Sequence, residues 1–286
     1  MTDPDLVLQK LKAYIRVTGL RVSQLRSDPN LPGRFLLSGD LQLLQYADNL
    51  PFSATQVGLV LDCMGKALTE LPEEILSSDH IVRLLLGSNH LSTLPDGIAD
   101  LPHLTDLYLD DNQFHHIPDI IFTMSDLICI DLGRNYISSL SAGISQLSNL
   151  QYLYLRRNQL SSAPQTMSQL SNLVSLDLGE NSFHTFPTEI LQIARLGSLD
   201  LSANLITELP ADINRLVHLT DLNISQNPLT DIPPTICHLK QLQSLFLADT
   251  AIDTLPACLN QLPHLEFVTL PSEKNRSQIT NPRIKC

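Results

Sequence analysis

Residues 150–172 read LQYLYLRRNQLSSAPQTMSQLSN, and residues 173–195 read LVSLDLGENSFHTFPTEILQIAR. Both segments are 23 residues long, with leucine at the first, fourth and sixth positions, asparagine at the ninth and proline at the fifteenth. A fixed period of this length is the sequence signature of a solenoid, in which each repeat packs only on its neighbours. The same step extends outward in both directions through Asn89, Asn112, Asn135, Asn158, Asn181, Asn204 and Asn227.

The repeated unit is L-x-x-L-x-L-x-x-N-x-L-x-x-L-P-x-x-I-x-x-L, and nine full copies and a partial tenth run from residue 58 to 270 without insertion or deletion. The ninth position departs from asparagine at Lys66, Thr250 and Glu273, in the first and the last two units. Such departures are typical of terminal, capping repeats. The units begin at Gly58, Ile81, Leu104, Leu127, Leu150, Leu173, Leu196, Leu219, Leu242 and Leu265.

The chemistry of the unit predicts its structure. The x-L-x-L-x segment alternates apolar and polar residues, so we expect one short strand per repeat with its leucines turned inward. The asparagine tolerates a tight turn and can hydrogen-bond backbone groups left unpaired after the strand. The following L-P step favours an extended or turn conformation before a short helical or 3-10 segment. The sequence therefore predicts an α/β solenoid, a curved horseshoe with a parallel β-sheet on the concave face.

These repeats resemble the leucine-rich repeat family over residues 58–270. The 23-residue length and the L-P-x-x-I motif are similar to the intracellular Ras-suppressor and scribble-type class, and also to bacterial leucine-rich repeat effectors. The resemblance implies a curved stack with short helical or 3-10 segments on its convex side.

The two ends of the chain break the period. Residues 1–57 are predicted to form an N-terminal helical cap, with helices at Asp5 to Val17 and at Gly39 to Ala47, the second capped by Ser38. Residues 26–34 between them are predicted to be turn-like. A separately functioning domain is the alternative. Residues 271–286 are expected to form a short basic tail.

Composition restricts the ligand. The 286 residues carry 18 Lys and Arg against 30 Asp and Glu, and residues 58–270 alone hold 8 basic and 24 acidic residues, a net −16. Nucleic acid is excluded as the main ligand, because phosphate binding needs clustered Lys and Arg. We expect no membrane insertion, since no long apolar run exists. The acidity favours a partner protein with a partly basic surface.

The N-terminus shows no secretory signal, which predicts a cytoplasmic location, or delivery into a host cytoplasm for a bacterial effector. The five cysteines are widely spaced and form no C-x-x-C pair. We therefore expect reduced thiols, without a zinc site or a disulfide framework.

Motifs for catalysis or cofactor binding are absent from the sequence. It contains no G-x-x-x-x-G-K-[ST], no G-x-S-x-G and no H-E-x-x-H. Several histidines occupy the same repeat position, which favours a role in turns. Asp131, Asp177 and Asp200 occupy the same outward position of the strand in different repeats. We interpret them as a solvated acidic face, because the spacing of a calcium-binding loop is absent. We predict no cofactor, no metal and no enzyme activity; a Cys129 nucleophile remains the alternative.

The outward strand positions are the ones free to bind a partner, since the others are committed to the core. Tyrosine, arginine and carboxylates concentrate in repeats three to six, and Tyr and Arg are enriched in interface hot spots. Mutual neutralisation of the charges is the competing interpretation. The predicted partner-binding residues are Asp106, Tyr108, Asp110, Asp111, Asp131, Arg134, Tyr152, Tyr154, Arg156, Arg157, Asp177 and Glu180.

The sequence thus predicts a scaffold, adaptor or inhibitor, monomeric on its own, that binds another protein on its concave face. An inhibitor of this kind would cover its partner's active site. A bacterial effector acting on host signalling proteins by the same binding mode is one alternative. A self-assembling structural protein is another.

Overall fold

Each repeat forms one short strand and one short helical segment. The structure, a computed structural model, describes residues 4–18, 22–28, 34–44 and 50–286. The strands are β1 Gln24–Ser27, β2 Phe35–Gly39, β3 Val57–Asp62, β4 Ile81–Leu85, β5 Asp106–Tyr108, β6 Cys129–Asp131, β7 Tyr152–Tyr154, β8 Ser175–Asp177, β9 Ser198–Asp200, β10 Asp221–Asn223, β11 Ser244–Phe246 and β12 Phe267–Thr269.

The α-helices are α1 Pro4–Thr18 and α2 Glu73–Leu76. The 3-10 helices are Leu41–Leu43, Asp96–Asp100, Asp119–Thr123, Ala142–Gln146, Gln165–Gln169, Thr188–Gln192, Ile213–Arg215, Pro234–His238, Ala257–Gln261 and Glu273–Gln278. Most of those in the repeats begin directly after the repeat proline, whose φ suits the entry into a helical turn.

The strands form one sheet in chain order from β1 to β12. Only β1 and β2 pair antiparallel; the other described pairs are parallel. The register advances by one repeat at each step, so Asp106 pairs with Cys129 and Cys129 with Tyr152. The repeat leucines and isoleucines fill one continuous core between the sheet and the helical segments. The predicted curved solenoid, with its sheet on the concave face, is confirmed.

The repeat asparagines bind the turns of adjacent repeats together. Asn135 is buried, and its side-chain amide donates to the carbonyl oxygens of Leu132 at 3.0 Å and of Leu109, in the preceding repeat, at 2.9 Å. Its Oδ1 accepts the backbone N–H of Phe114 at 3.0 Å. The predicted role is confirmed, and one side chain satisfies backbone groups of two repeats that water cannot reach.

The residue before the ninth repeat position adopts a left-handed backbone conformation. Its φ lies between 51° and 57° from repeat two to repeat nine, although none of these residues is glycine. A non-glycine side chain in this region costs conformational free energy. The residues are Ser88, Asp111, Arg134, Arg157, Glu180, Ala203, Gln226 and Asp249.

The N-terminal cap differs from the prediction in its second half. Helix α1 is present, and its Val7 and Leu11 are buried in the core. The predicted second helix is wrong over its described part, because Ser38 and Gly39 belong to the buried strand β2, and only a 3-10 turn follows, capped by Asp40. Pairing with β3 satisfies the backbone groups of β2, which outweighs the local helix signal. Residues 45–47 of that predicted helix lie outside the described residues.

Residues 26–34, predicted to be a turn, also include strand structure. Arg26 and Ser27 are the last residues of β1. Asp28 is buried and pairs with Arg34. Residues 29–33 lie outside the described residues. The sheet therefore begins before the first repeat, and the cap is a helix with two strands.

The C-terminal segment packs on the last repeat. Asn275 is fully buried and donates from its amide to the carbonyl oxygen of Asp253, in the preceding repeat, at 2.9 Å. Ile284 is buried, and Lys285 forms a parallel bridge with Phe267 beside β12. Part of the expected basic tail thus covers the end of the core.

A disulfide joins Cys237 and Cys258, whose Cα atoms are 5.8 Å apart. The expectation that all cysteines are reduced is therefore wrong for this pair. The two residues lie in the 3-10 helices of neighbouring repeats, and they occupy different repeat positions, which hid their proximity. Cys63, Cys129 and Cys286 are free thiols.

Candidate protein-binding site

The predicted binding residues lie on one surface of the sheet. In each short strand the middle residue is buried, and the residues on either side of it belong to the concave face. In β7, Leu153 is fully buried between Tyr152 and Tyr154. The structure brings all twelve predicted residues together on β5 to β8 and the turns that follow them. Four of them are exposed, namely Asp111, Arg134, Tyr152 and Arg157.

The strand residues nearest the N-terminal end of this surface are engaged within the protein. Asp106 is buried, and its carboxylate accepts hydrogen bonds from Arg83 at 2.8 Å and from Thr105 at 2.7 Å. Cys129, which occupies an outward strand position in the repeat register, is also buried, and its thiol donates to the hydroxyl of Tyr108 at 3.6 Å. Asp106 is therefore the predicted contact residue least available to a partner.

Burial decides the chemistry of Cys129. It raises the pKa of the thiol to about 11, against a lowering by the Tyr108 hydroxyl. A nucleophilic cysteine needs a thiolate near neutral pH, which requires a lowered pKa. The surroundings of Cys129 therefore oppose the Cys129-nucleophile alternative.

Glu180 joins the two central arginines. Its Oε1 accepts from Nε and Nη2 of Arg156, at 2.9 and 2.6 Å, and its Oε2 accepts from Nε of Arg157. Arg156 also reaches Asp200, at 3.4 Å. Burial alone would raise the pKa of Glu180, but hydrogen bonds from Arg157 and Arg156 lower it below its usual value. Glu180, Arg156 and Arg157 therefore neutralise one another, as the competing interpretation predicts.

Three carboxylates on the same surface form no salt bridge with a described residue, although the charges of Arg134 and Arg156 act to lower the pKa values of Asp110 and Asp177. Among the described residues, no basic group lies within 4.0 Å of Asp110, Asp131 or Asp177. Asp131 and Asp177 each accept the backbone N–H of the glycine two positions further on, at 2.8 Å. Burial, together with the charges of Asp110 and Asp177, raises the pKa of Asp131 to about 6. Burial also raises the pKa values of Asp110 and Asp177.

The raised pKa values mean that ionising these carboxylates costs more free energy in the folded protein than in water. A cation of a partner that approached the three carboxylates would relieve their repulsion and favour their ionised forms. The same residues, with Gly133, Arg134, Tyr154 and Arg156, line a concave groove of about 490 Å³, which we call the acidic groove.

Glycine at position 179 makes room for this arrangement. A Cβ atom there would lie 2.6 Å from Nη1 of Arg156 and 3.1 Å from Oδ1 of Asp177. Such distances are below van der Waals contact, so a larger residue would displace the arginine or the carboxylate. Gly179 therefore helps to keep the charged groups at the surface of the sheet.

The tyrosines supply apolar area beside the charges. Tyr152 is 37% exposed on β7, and burial raises the pKa of its neighbour Tyr154. Tyr136, at the edge of the sheet, is 47% exposed and stacks on His115 with ring centroids 5.4 Å apart. Exposed aromatic side chains of this kind bury much area on binding at low entropic cost.

Sequence reasoning missed a second aromatic cluster. Phe246 of β11 and Phe267 of β12 are neighbours on the concave face, with ring centroids 5.6 Å apart, and Phe267 is 37% exposed. Both occupy outward strand positions, so the repeat register could have revealed them. They lie among small, mostly uncharged residues, so a search for clustered tyrosine, arginine and carboxylates did not select them.

In the described part of the chain, no helix is long and apolar enough to cross a bilayer. Within the same residues, no group of three or more His, Cys, Asp or Glu side chains could hold a metal ion.

Comparisons with known proteins agree with the fold. The leucine rich repeat family model matches residues 102–160 and 217–274. Internalin C2 of Listeria monocytogenes is 26% identical with a TM-score of 0.61, covering 70% of this chain and 84% of the internalin. Another internalin of that bacterium, InlF, is 18% identical with a TM-score of 0.64, over 99% of this chain and 94% of its own. No curated protein matches.

A plant peptide hormone receptor, RGFR1, solved in complex with RGF2, is 24% identical with a TM-score of 0.65 over 86% of this chain. The chain spans 41% of the receptor's length. At these identities the receptor and InlF support the fold alone. The solenoid and the partial family match make this chain similar to leucine-rich repeat proteins. This fold commonly serves as a protein–protein interaction module.

Proposed function

We propose that this protein is a non-enzymatic interaction module that binds one partner protein on its concave face. It acts as a scaffold, an adaptor or an inhibitor, and an inhibitor works by covering the partner's active site. The observation that carries the proposal is the surface of β5 to β8, where Tyr154 pairs with Asp131 and Asp177 in the sheet register and exposed Tyr152 lies on the same strand. Among the described residues, Asp110, Asp131 and Asp177 form no salt bridge with a basic group.

The competing interpretation, mutual neutralisation of charge, accounts for only part of this surface. It covers Arg83 with Asp106 and the two arginines with Glu180. It leaves the acidic groove and the tyrosines unexplained. Carboxylates that form no salt bridge among the described residues, together with exposed aromatic rings, favour a protein with a partly basic surface over nucleic acid or an anionic membrane.

The repeat length and the L-P-x-x-I motif support the finer assignment to the intracellular 23-residue class, with a cytoplasmic location. The Cys237–Cys258 disulfide argues in the other direction, since disulfides persist in oxidising compartments. A bacterial effector acting on host signalling proteins would use the same face. Sedimentation of the purified chain is expected to show a monomer, whereas a stable oligomer would favour a self-assembling structural protein.

The test is affinity capture of partners from lysate with the wild type and with a triple variant, Tyr152→Ala, Tyr154→Ala and Arg156→Ala. Loss of these side chains is expected to weaken binding of the captured partner by several kcal/mol, at least about 2. A matched control carries Thr188→Ala and Arg215→Ala, which alter exposed residues of the helical segments. Equal affinity of the folded triple variant and the wild type in a titration would refute the proposed site.

A further inference from the structure

The concave face carries two contact sites of different chemistry. The first is the acidic groove, whose carboxylates belong to β6, β8 and the turn after β5. The second is the pair formed by Phe246 and Phe267, at the far end of the same sheet. Exposed aromatic pairs on a mostly polar surface mark interaction sites. The two sites favour different groups of a partner: a cation in the acidic groove and an apolar side chain on the phenylalanine pair.

The strands between the two sites have no large side chains of their own on the concave face. Strands β9 and β10 and their turns present Ser198, Ser202 and Ser225 to the concave side, and Asp200 and Asn223 bond to each other at 2.8 Å. The Arg156 guanidinium, however, reaches over β9, where its Nη1 lies 3.4 Å from Asp200 and 3.3 Å from Ser202. A polypeptide backbone can therefore approach the sheet closely over β10, and it must pass the Arg156 side chain at β9.

The distance between the sites follows from the strand register. The groove is centred near β7 and the aromatic pair lies on β11 and β12, in a sheet whose strands run in chain order. Neighbouring strands are about 4.8 Å apart, so the separation is about 20 Å. An extended chain advances about 3.3 Å per residue, and about six or seven residues span that distance.

Resting on the function proposed above, we propose that the concave face binds an extended polypeptide segment of its partner. The segment carries one Lys or Arg in the acidic groove and one large apolar side chain on the Phe246–Phe267 pair, six or seven residues apart along the chain, a spacing of about 20 Å. Charge complementarity assigns the cation, because three carboxylates and two guanidinium groups line the groove, a net −1, and Glu180 already holds one of the two, Arg156. Asp110, Asp131 and Asp177 form no salt bridge within 4.0 Å among the described residues.

The probe is a series of fluorescein-labelled Gly-Ser peptides, each about twelve residues long and carrying one Arg and one Leu at increasing separations. Fluorescence anisotropy is expected to give the tightest binding at a separation of about six or seven residues. Replacing Arg with Gln, or Leu with Ser, at that separation is expected to weaken binding about tenfold in each case.

Two variants link each peptide residue to its site. Asp131→Asn keeps an oxygen to accept the Gly133 N–H and is expected to remove the preference for Arg over Gln. Its control, Asp62→Asn, makes the same change at the equivalent, exposed position of β3 and is expected to leave that preference intact. Phe267→Ala is expected to remove the preference for Leu over Ser, while Leu205→Ala, at another exposed site, is not. Circular dichroism verifies that each variant is folded.

Three results would overturn the inference. The first is peptide binding that does not depend on the separation of Arg and Leu, and the second is an equal effect of a variant and its control. The third is that cytochrome c, a folded basic protein, binds in a way that depends on Asp131 while none of the peptides binds. If the captured partner still lost affinity on the Tyr152, Tyr154 and Arg156 changes, the proposed function would stand without an extended segment. If the peptides bound as expected while that triple variant kept full affinity for the partner, the proposed function would fail instead.

Discussion

Arg156 donates two hydrogen bonds to one oxygen of Glu180, from Nε at 2.9 Å and from Nη2 at 2.6 Å. The arginine follows β7, and the glutamate occupies the left-handed position in the turn after β8. The pair therefore links two adjacent repeats at the rim of the proposed binding surface. Because the same glutamate also accepts a hydrogen bond from Arg157, both arginines are held by one carboxylate of their own chain, and Arg157 remains exposed.

A double-mutant cycle measures this link. Arg156→Gln and Glu180→Gln are expected to be coupled by about 0.5–1 kcal/mol in urea unfolding, because both side chains are partly exposed. The coupling is expected to decrease as salt is added. The pair of Arg215 and Asp212, more than half exposed and 3.5 Å apart, is the control and is expected to give a coupling near zero. Equal couplings would contradict a specific role for Glu180.

The asparagine ladder predicts a larger stability effect. Asn135→Ala leaves the N–H of Phe114 and the carbonyl of Leu109 without their side-chain partner, and both lie in the interior. We expect a loss of about 3 kcal/mol in the free energy of unfolding, measured by urea titration. Asn149→Ala removes only an exposed bond to Ser125 and is expected to change stability by less than about 0.5 kcal/mol. A cost no greater than that of the control would rule out the structural role.

The acidic groove predicts a pH effect on stability. The pKa of Asp131 in the folded chain, about 6, lies above its usual value because of burial and the nearby carboxylates. Folding therefore favours the protonated form, and this stabilisation is complete below the usual pKa and lost as the pH rises through about 6. Asp131→Asn is expected to raise the melting temperature at neutral pH, with the gain vanishing in acid.

The control for the pH effect is Asp62→Asn, at the equivalent position of β3, which is expected to show no such pH-dependent gain. Thermal unfolding of both variants between pH 4 and pH 8, in about one-unit steps, distinguishes them. A gain for Asp131→Asn that did not vary with pH would contradict the titration of this carboxylate.

The cysteine pairing is checked by peptide mapping. Digestion without reductant is expected to yield one linked pair of peptides that contain Cys237 and Cys258. Thiol titration in denaturant is expected to count three free thiols, and all five after reduction. Recovery of both peptides unlinked from protein prepared under oxidising conditions would contradict the pairing.

Reactivity of Cys129 tests the remaining enzymatic alternative. Because the thiol is buried and its pKa is raised to about 11, a maleimide is expected to label it more slowly than exposed Cys286 in the folded chain. Labelling rates are read by mass spectrometry of the digested protein. Cys129 labelled first would support a nucleophilic cysteine in place of a binding module.

The repeat pattern made most of the fold predictable. A step of 23 residues sets the strand order and the register together, since every repeat must place its leucines over those of the previous one. The same register located the outward positions, including Tyr152 and Asp131. At the N-terminus, where no repeat constrains the chain, the local signal at Ser38 predicted a helix and the structure has strand β2.

The sequence by itself determined the solenoid, its concave sheet and the list of side chains that reach it, because identical layers must bury identical leucines. Only the tertiary structure decided which charges remain available. Glu180 neutralises two arginines and Arg83 engages Asp106, whereas Asp110, Asp131 and Asp177 keep no basic partner within 4.0 Å in the described residues. Such pairing depends on distances between side chains of different repeats. Repeat position alone does not set those distances, because long side chains can reach sideways or across to a second repeat.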